Sequence, residues 1–195
     1  MGKIYCIMGK SSSGKDTVYK KLLKNQNLKL RRIIPYTTRP IRKGEKNGEE
    51  YFFISEADVQ EFQKQNKIIE MRTYHTCLGD WKYLTVKDHQ MDDNNGSFLV
   101  IGTPEAYLSI RSYYGKENVI PVLIELDDGV RLQRALNREK KQNLPKYDEM
   151  CRRYLADQKD FSEEKLKECG IKKRFYNEDL EECLKQISDY ILENR

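Results

Sequence analysis

The sequence predicts an α/β protein with a parallel central sheet, and three observations support this prediction. Short apolar runs of strand length occur at residues 3–8, 97–101 and 119–126. A loop and an amphipathic helix follow the first run, and a helical stretch at about 104–113 separates the other two. Because parallel strands need a crossover between them, this alternation favours βαβ units.

The first predicted strand opens a βα unit. Residues 3–8 (KIYCIM) are bounded by Gly9, which is typical of a strand that is buried on both faces. From Gly14 onward, Val18 and Leu22 fall on one side of a helix while lysines lie outside. A strand, a loop and a helix therefore follow one another in this order.

The middle of the chain predicts less regular structure. Residues 28–34 alternate apolar and basic side chains, and residues 36–53 are rich in turn formers and charge, which indicates hairpins or exposed loops. Ser55 is the predicted N-cap of a helix over 56–65. Residues 68–86 are expected to be extended and irregular. Three further helices are predicted over about 130–141, 147–159 and 180–193.

Composition bounds the class of protein. A chain of 195 residues suits one domain, and its 34% of charged residues indicate a heavily solvated surface. Five cysteines without a CxxC pair argue against a disulfide framework or a zinc ribbon. No signal peptide and no run of about 18 apolar residues is visible, so we expect a cytoplasmic protein with no membrane partner.

A net charge of +5 is compatible with nucleic acid or with small phosphorylated ligands. Aromatic and basic residues are not interleaved as in single-strand binding proteins, so no nucleic-acid partner is expected. The partners expected are small-molecule nucleotides, and the oligomeric state stays open.

The strongest motif is GKSSSGKD at residues 9–16, which matches G-x-x-x-x-G-K where a strand should end and a helix begin. Glycines let the backbone aim its N–H groups at phosphate oxygens, and Lys15 adds a positive charge for the β and γ phosphates. The motif predicts ATP as phosphoryl donor. The expected ATP-binding residues of this phosphate loop and the helix start are Gly9, Ser11, Ser12, Ser13, Gly14, Lys15, Asp16 and Thr17.

The residue after Lys15 is Asp16, where the usual motif has Ser or Thr. A carboxylate is a hard oxygen ligand that suits Mg²⁺, so Asp16 is the first candidate to hold the metal and Thr17 the second.

The segment YTTRPIRKGEKNGEEYFF contains Thr37, Thr38, Arg39, Pro40, Arg42, Gly44, Glu45, Gly48 and Tyr51. These residues resemble the TTRxPRxGExxGxxYxF signature of the guanylate kinase family. Arg39 and Arg42 can hold a phosphate dianion through forked hydrogen bonds, and the Tyr51 hydroxyl can donate to the same phosphate. Glu45 belongs to the same expected acceptor site.

The resemblance extends to the base of the acceptor. It implies that Glu70, in NKIIEMR, accepts hydrogen bonds from N1 and N2 of guanine. In GDWKYLT, Tyr83 corresponds to the phosphate-facing tyrosine and Thr85 to the hydroxyl that contacts the base. The family's acidic residue at a central strand end is missing at residues 100–102, and we expect Asp16 to compensate for it.

Arginines recur in the C-terminal third, at Arg134, Arg138, Arg152 and Arg153. Their placement resembles the family's lid, which implies that Arg134, Arg138 and Arg153 join Lys15 and Arg39 in stabilising the charge of phosphoryl transfer. The alternative is that these arginines form the solvated faces of two amphipathic helices.

The segment FYNEDLEECLKQI resembles the family's strand, asparagine and acidic pair before the last helix. Asn177 is therefore a candidate to contact adenine and equally a candidate N-cap or turn residue.

The resemblance as a whole implies a three-layer P-loop kinase fold with a parallel central sheet, an inserted acceptor-binding region and a mobile helical lid. The expected single domain covers residues 1–195, with its core at about 1–35, 91–131 and 161–195, the acceptor-binding region at about 36–90 and the lid at about 132–160.

The implied reaction is phosphoryl transfer from ATP, with Mg²⁺, to GMP or dGMP. Two alternatives stay open. One is a kinase for another phosphorylated acceptor such as ribose 1,5-bisphosphate, and the other is a non-catalytic module of the same fold that binds a protein.

Overall fold

A computed structural model describes residues 2–42, 44–76, 79–91 and 96–195. The strands in this part of the chain are β1 (Ile4–Met8), β2 (Leu30–Arg32), β3 (Tyr36–Thr37), β4 (Phe52–Phe53), β5 (Ile68–Thr76), β6 (Gly79–Val86), β7 (Ser97–Ile101), β8 (Val119–Glu125) and β9 (Arg174–Tyr176). The helices are α1 (Lys15–Lys24), α2 (Glu56–Lys64), α3 (Pro104–Tyr114), α4 (Asp128–Glu139), α5 (Tyr147–Asp160), α6 (Glu163–Glu168) and α7 (Leu180–Glu193).

The central sheet has the strand order β2-β7-β1-β8-β9, and all its pairings are parallel. Every residue of β1 is buried, because this strand lies in the middle of the sheet and is covered on both faces. The carboxyl ends of β1 and β7 are therefore adjacent, at the edge where α/β folds bind ligands.

Helices cover both faces of this sheet, which makes three layers. One buried cluster joins β1, β7 and β8 to α3 and α6 through residues such as Tyr107 and Leu166. The other joins the same strands to α1 and α7 through residues such as Val18 and Ile187. The predicted three-layer α/β fold with a parallel central sheet is confirmed.

A second sheet, with the strand order β4-β3-β6-β5, is inserted between β2 and β7. Its largest part is the antiparallel pair β5–β6, in which Glu70 faces Thr85 and Arg72 faces Tyr83. A small core of Val59, Leu84 and Val86 joins this sheet to α2. Ser55 caps α2 as predicted, in a capping box with Asp58.

The expectation of irregular structure over residues 68–86 is wrong. Most of this segment forms the β5–β6 ladder, which pairs residues as far apart as Ile68 and Val86. Partners supplied across a hairpin are non-local, so apolar periodicity within one strand gives little sign of them. The short helix α6 was also not predicted as a separate element.

Within the described residues, no helix has both the length and the apolar character needed to cross a membrane. Cys6, Cys151, Cys169 and Cys183 are unpaired there, as expected for reduced thiols, and Cys77 lies outside the described residues.

Candidate functional site

The predicted phosphate loop connects the end of β1 to the start of α1 and depends on two glycines. Gly14 has a φ of 89°, and a β-carbon there would lie 2.2 Å from the amide nitrogen of Asn177. A β-carbon at Gly9 would lie 2.6 Å from the Ile124 carbonyl oxygen. The loop can hold this shape only with glycine at both positions, because a left-handed φ and a contact this short both exclude other side chains.

The loop carries polar groups that the surrounding protein leaves unused. The hydroxyl oxygens of Ser12 and Ser13 are buried without a hydrogen-bond partner among the described residues. The amino end of α1 lies directly behind them, where helix N–H groups and the helix dipole favour an anion. Donors that have no protein partner, beside the amino end of a helix, are typical of an anion-binding site.

Three side chains brace this loop from outside. Asn177 donates to the Ser13 carbonyl at 2.7 Å, and Arg131, which is 1% exposed, donates to the Ser11 carbonyl at 2.9 Å. The carboxylate of Asp157 on α5 accepts the Ser11 N–H at 2.7 Å. Sequence reasoning did not single out Arg131 or Asp157, because both contacts are made to backbone groups that no local pattern reveals.

This arrangement gives Asn177 a contact that the sequence analysis did not predict. Its side chain is 4% exposed, and its amide nitrogen donates to the loop that is the candidate phosphate site. It is not the N-cap of α7, since Asp179 holds that position.

A cavity of about 570 Å³ opens in front of the phosphate loop, a size that suits a small-molecule ligand. The loop and α1 form one side, the inserted sheet another, and α4 and α5 a third. The predicted residues that line it are Gly9, Ser11, Ser12, Lys15, Asp16, Arg42, Tyr51, Tyr83, Arg138 and Arg153.

Arginine side chains line the cavity on the sides away from the loop, together with carboxylates such as Glu49 and Asp160. Arg42 lines the cavity, and burial together with the neighbouring cations Arg39 and Arg153 lowers the pKa of its guanidinium. Cations that repel one another at one wall attract a dianion such as a phosphate monoester. Arg42 and Arg153 are therefore a candidate second anion-binding region in the same cavity as the phosphate loop.

Arg39 does not share this exposure, although the sequence analysis grouped it with Arg42. Its side chain is 3% exposed and forms a double hydrogen bond with Glu45, at 3.0 and 2.9 Å. The guanidinium also lies 5.4 Å from the ring centroid of Tyr51. Arg39 and Glu45 are therefore not among the residues that line the cavity, and they fix the loop that carries Arg42, whose backbone N–H also donates to Glu45.

Aromatic side chains form the wall between the two anion-binding regions. The rings of Tyr51 and Tyr83 meet edge to face at 5.6 Å, and Tyr74 meets Tyr83 in the same way at 5.5 Å. Burial raises the pKa of Tyr51 to about 12, so its hydroxyl stays protonated and able to donate.

The residues expected to read the acceptor base lie deeper than predicted. Thr85 is buried and donates to Glu70 at 3.0 Å, and Glu70 is itself 6% exposed. Neither residue is among those that line the cavity in the described part of the chain. Arg72 lines it in their place, and its guanidinium pairs with the Glu70 carboxylate.

Asp16 lines the cavity in the first turn of α1, whereas Thr17 does not, so the structure favours Asp16 of the two candidate metal ligands. No group of three or more acidic, histidine or cysteine side chains that could hold a metal occurs among the described residues. A single carboxylate beside an anion site fits Mg²⁺, which usually takes one or two protein carboxylates, several waters and the phosphates of its ligand.

The three arginines of α4 and α5 that were predicted to take part in catalysis divide between the cavity and the outer surface. Arg138 and Arg153 line the cavity, and Arg153 also donates to Glu149 at 2.8 Å. Arg134 lies outside the cavity near Gly14, with Nη1 3.9 Å from where a β-carbon would stand on that glycine. None of the 14 residues of α5, all of which the structure describes, is fully buried.

Comparison with known proteins gives one consistent result. The profile of the family described as Guanylate kinase matches residues 1–194. A guanylate kinase of Mesomycoplasma hyopneumoniae (strain J) is 30% identical over 194 residues, which cover 98% of this chain and 94% of that protein. A guanylate kinase of Rhodopirellula baltica is 35% identical over 100 residues, which cover 51% of this chain and 47% of that protein.

The crystal structure of guanylate kinase from Anaplasma phagocytophilum matches 98% of this chain and 85% of its own, with a TM-score of 0.64 and 23% identity. At that identity the likeness supports the fold. The match to the relatives from Rhodopirellula baltica and Mesoplasma florum spans 47% and 44% of their lengths, so it covers about half of each protein.

Proposed function

The chain belongs to the guanylate kinase family, and we propose that it transfers the γ-phosphoryl group of ATP to GMP or dGMP, giving ADP and the corresponding diphosphate. One observation carries the proposal: a single cavity joins the phosphate loop to a second cationic wall. A kinase for nucleoside monophosphates needs two anion sites of this kind, because the phosphates of donor and acceptor must approach each other.

The phosphate loop is the proposed donor site. Its backbone N–H groups and the amino end of α1 bind the phosphates of ATP, and Lys15 neutralises charge on the β and γ phosphates. The Ser11 N–H donates to the Asp157 carboxylate. When ATP binds, this N–H either turns to phosphate or keeps its contact while neighbouring N–H groups bind the phosphates. Mg²⁺ bound with ATP neutralises phosphate charge, and Asp16 is the residue proposed to hold it.

Arg42, Tyr51 and Tyr83 form the proposed site for the acceptor phosphate. Arg42 supplies a forked cation, and the two phenolic hydroxyls donate to the remaining phosphate oxygens. Arg39 and Glu45 act behind them as positioning residues, since their double hydrogen bond fixes the loop on which Arg42 lies.

The protein contributes to the phosphoryl transfer mainly by positioning the two phosphates, and it forms no covalent bond to the substrates. An oxygen of the acceptor phosphate forms a bond to the γ-phosphorus of ATP while the bond from that phosphorus to the β–γ bridging oxygen breaks, so ADP leaves with the electron pair. Arg138 and Arg153 lie at the side of the cavity where they can stabilise the charge on the transferred group.

We also propose that residues 132–160 act as a lid. The absence of fully buried residues in α5 gives this helix a smaller packing cost on moving than α1 or α7 has. Closure would bring Arg138 and Arg153 onto the phosphates and exclude water, which protects ATP from hydrolysis.

The test is ADP formation from ATP and Mg²⁺ with six acceptors offered separately: GMP, dGMP, AMP, CMP, UMP and ribose 1,5-bisphosphate. Turnover with GMP or dGMP well above that with the other four is expected. Turnover only with ribose 1,5-bisphosphate would assign the fold to a different acceptor, and absence of turnover with all six would favour a binding module.

A further inference from the structure

Arg72 stands between the Glu70 carboxylate and the cavity. Glu70, Arg72 and Tyr74 alternate along β5 and therefore share one face of the strand. Arg72 and Tyr74 line the cavity, and Glu70 is buried behind them. A base that enters the acceptor side therefore meets a guanidinium first.

Both oxygens of Glu70 are already engaged. Arg72 donates from Nε to Oε2 at 3.1 Å and from Nη2 to Oε1 at 3.4 Å, and Thr85 donates to Oε1 at 3.0 Å. The side chains of Glu70 and Arg72 are 3% and 15% exposed, so this pair lies in a largely water-free environment. Breaking it to free the carboxylate would leave a buried charge without a partner.

A third contact ties Arg72 to the central sheet. Its Nη1 donates to the Thr103 hydroxyl at 3.3 Å, and Thr103 is the N-cap of α3, just after β7. The guanidinium is thus fixed from both the inserted sheet and the core. This contact lies beside Gly102, at the strand end where the sequence lacks the acidic residue of the family.

Arg72 keeps donors for a ligand in this position. A guanidinium has five N–H groups, and the three hydrogen bonds to Glu70 and Thr103 use one on each nitrogen. Tyr74, on the same face of β5, lines the cavity together with Arg72. Burial alone would lower the pKa of Arg72, but attraction to Glu70 outweighs it and the pKa is raised, so the group stays a cation.

We propose that Arg72 reads the acceptor base, by donating to a carbonyl oxygen such as O6 of a 6-oxopurine, and that Glu70 and Thr103 act as positioning residues for its guanidinium. Arginine pairs with the O6 and N7 acceptors of guanine in the same way elsewhere. A 6-aminopurine carries an amino group, which is a hydrogen-bond donor, where a 6-oxopurine carries O6. This amino group cannot accept from the Arg72 guanidinium, so the base is rejected. The inference rests on the proposed function, because it assigns a base-reading residue within the same acceptor site.

Direct reading of guanine by Glu70 makes a different prediction. A carboxylate that accepts from N1 and N2 distinguishes GMP from IMP, since IMP lacks the 2-amino group. A guanidinium that donates to O6 treats GMP and IMP alike, since both carry that oxygen, and it distinguishes both from AMP. The three nucleotides therefore separate the two modes.

The test measures dissociation constants of GMP, IMP and AMP by titration calorimetry for the wild type, Arg72→Met and Arg72→Lys. Arg72→Met is expected to weaken GMP and IMP by the same factor, about tenfold or more, and to leave AMP unchanged. Arg72→Lys keeps a cation beside Glu70, and its melting temperature shows whether it folds. It should shift the ratios of the three dissociation constants in the same direction, because lysine cannot reproduce the forked contacts of the guanidinium. Arg111→Lys is the matched control, because Arg111 is also half-buried but lies outside the cavity.

Equal weakening of all three nucleotides would reduce Arg72 to a structural role, and a loss confined to GMP would return the reading of the base to Glu70; either result overturns the proposal. If a folded Arg72→Lys variant kept the wild-type ratios of the three dissociation constants, the proposal for Arg72 would also be overturned. The proposed function would be left intact. If the wild type binds none of the three, the proposed function fails first and this inference fails with it.

Discussion

The phosphate loop and the acceptor wall, which is the side of the cavity formed by the inserted sheet and its loop, are built from different kinds of groups. In the phosphate loop, the groups proposed to bind phosphate are backbone N–H groups, held by Gly9 and Gly14 and by the amino end of α1. On the acceptor wall, the groups proposed to bind the ligand are side chains, and this region also holds two ion pairs: Arg39 with Glu45, and Arg72 with the Glu70 carboxylate.

This difference decides which residues are replaceable. A backbone donor cannot be removed by changing its own side chain, so the loop is sensitive at its glycines and at the lysine that adds charge. A paired side chain has two effects when it is removed, one on the ligand and one on the partner left behind. The acceptor wall should therefore separate into residues that affect binding and residues that affect stability.

The largest effect is expected at Lys15. Replacing it with alanine removes the mobile cation of the loop, so kcat/KM for phosphoryl transfer should fall by about 10³-fold, which corresponds to about 4 kcal/mol of transition-state stabilisation. Steady-state kinetics with coupled ADP detection measure this loss. Lys24→Ala, on the exposed last turn of the same helix, is the control and should transfer at the wild-type rate. A Lys15→Ala variant with unchanged turnover would contradict a phosphoryl-transfer role for the loop.

The next largest effects are expected at two arginines of one loop, Arg39 and Arg42. Arg39→Met leaves Glu45 without its partner, so the free energy of unfolding should fall by about 3 kcal/mol in a denaturant titration. Arg42→Met removes a cation that lines the cavity and should leave stability within about 0.5 kcal/mol of the wild type. It should raise the KM for GMP by about tenfold to a hundredfold, the equivalent of one charged hydrogen bond.

The two variants would be measured in both assays. If Arg39→Met raised the KM at wild-type stability, Arg39 would be the phosphate ligand that the sequence alone suggested. The buried double hydrogen bond between Arg39 and Glu45 argues against that result.

The same contrast explains how far the sequence alone could lead. The phosphate loop could be predicted because its function follows from a local pattern: a buried strand, glycines at fixed spacing and a helix start. The central strands and most helices could be predicted for the same reason. Gly9, Lys15 and Asp16, which the sequence assigns to the donor site, all line the cavity.

The acceptor wall was predicted less well because its partners are not local. Arg72 follows Glu70 by two residues, so they share a face only if the segment is a strand, and this segment was expected to be irregular. The contacts of Arg72 with Thr103 and of Asn177 with the phosphate loop join residues 31 and 164 positions apart. Such pairs depend on the folded sheet, and no pattern within one segment indicates them.

The smallest expected effect is the difference in stability between alanine substitutions at two glycines, which isolates the close packing around Gly14. Gly14 in the phosphate loop and Gly44 in the acceptor loop have nearly the same φ, 89° and 88°. Apart from the chain neighbours, no atom of the described residues lies within 4 Å of an added β-carbon at Gly44, whereas at Gly14 it would lie 2.2 Å from Asn177. Alanine at either position adds the left-handed backbone cost of about 1 kcal/mol. At Gly14 it should also displace Asn177 from the Ser13 carbonyl, for about 1–2 kcal/mol more.

Denaturant titration of Gly14→Ala and Gly44→Ala therefore measures a difference of about 1–2 kcal/mol that backbone strain cannot produce, since strain is common to both variants. Asn177→Ala supplies the check, because the added effect of Gly14→Ala should shrink once the asparagine is gone. Equal destabilisation by Gly14→Ala and Gly44→Ala would mean that the loop can move away from Asn177. In that case the buried asparagine would not hold the loop in shape, and the rigidity that separates the phosphate loop from the acceptor wall would have to come from Arg131 and Asp157.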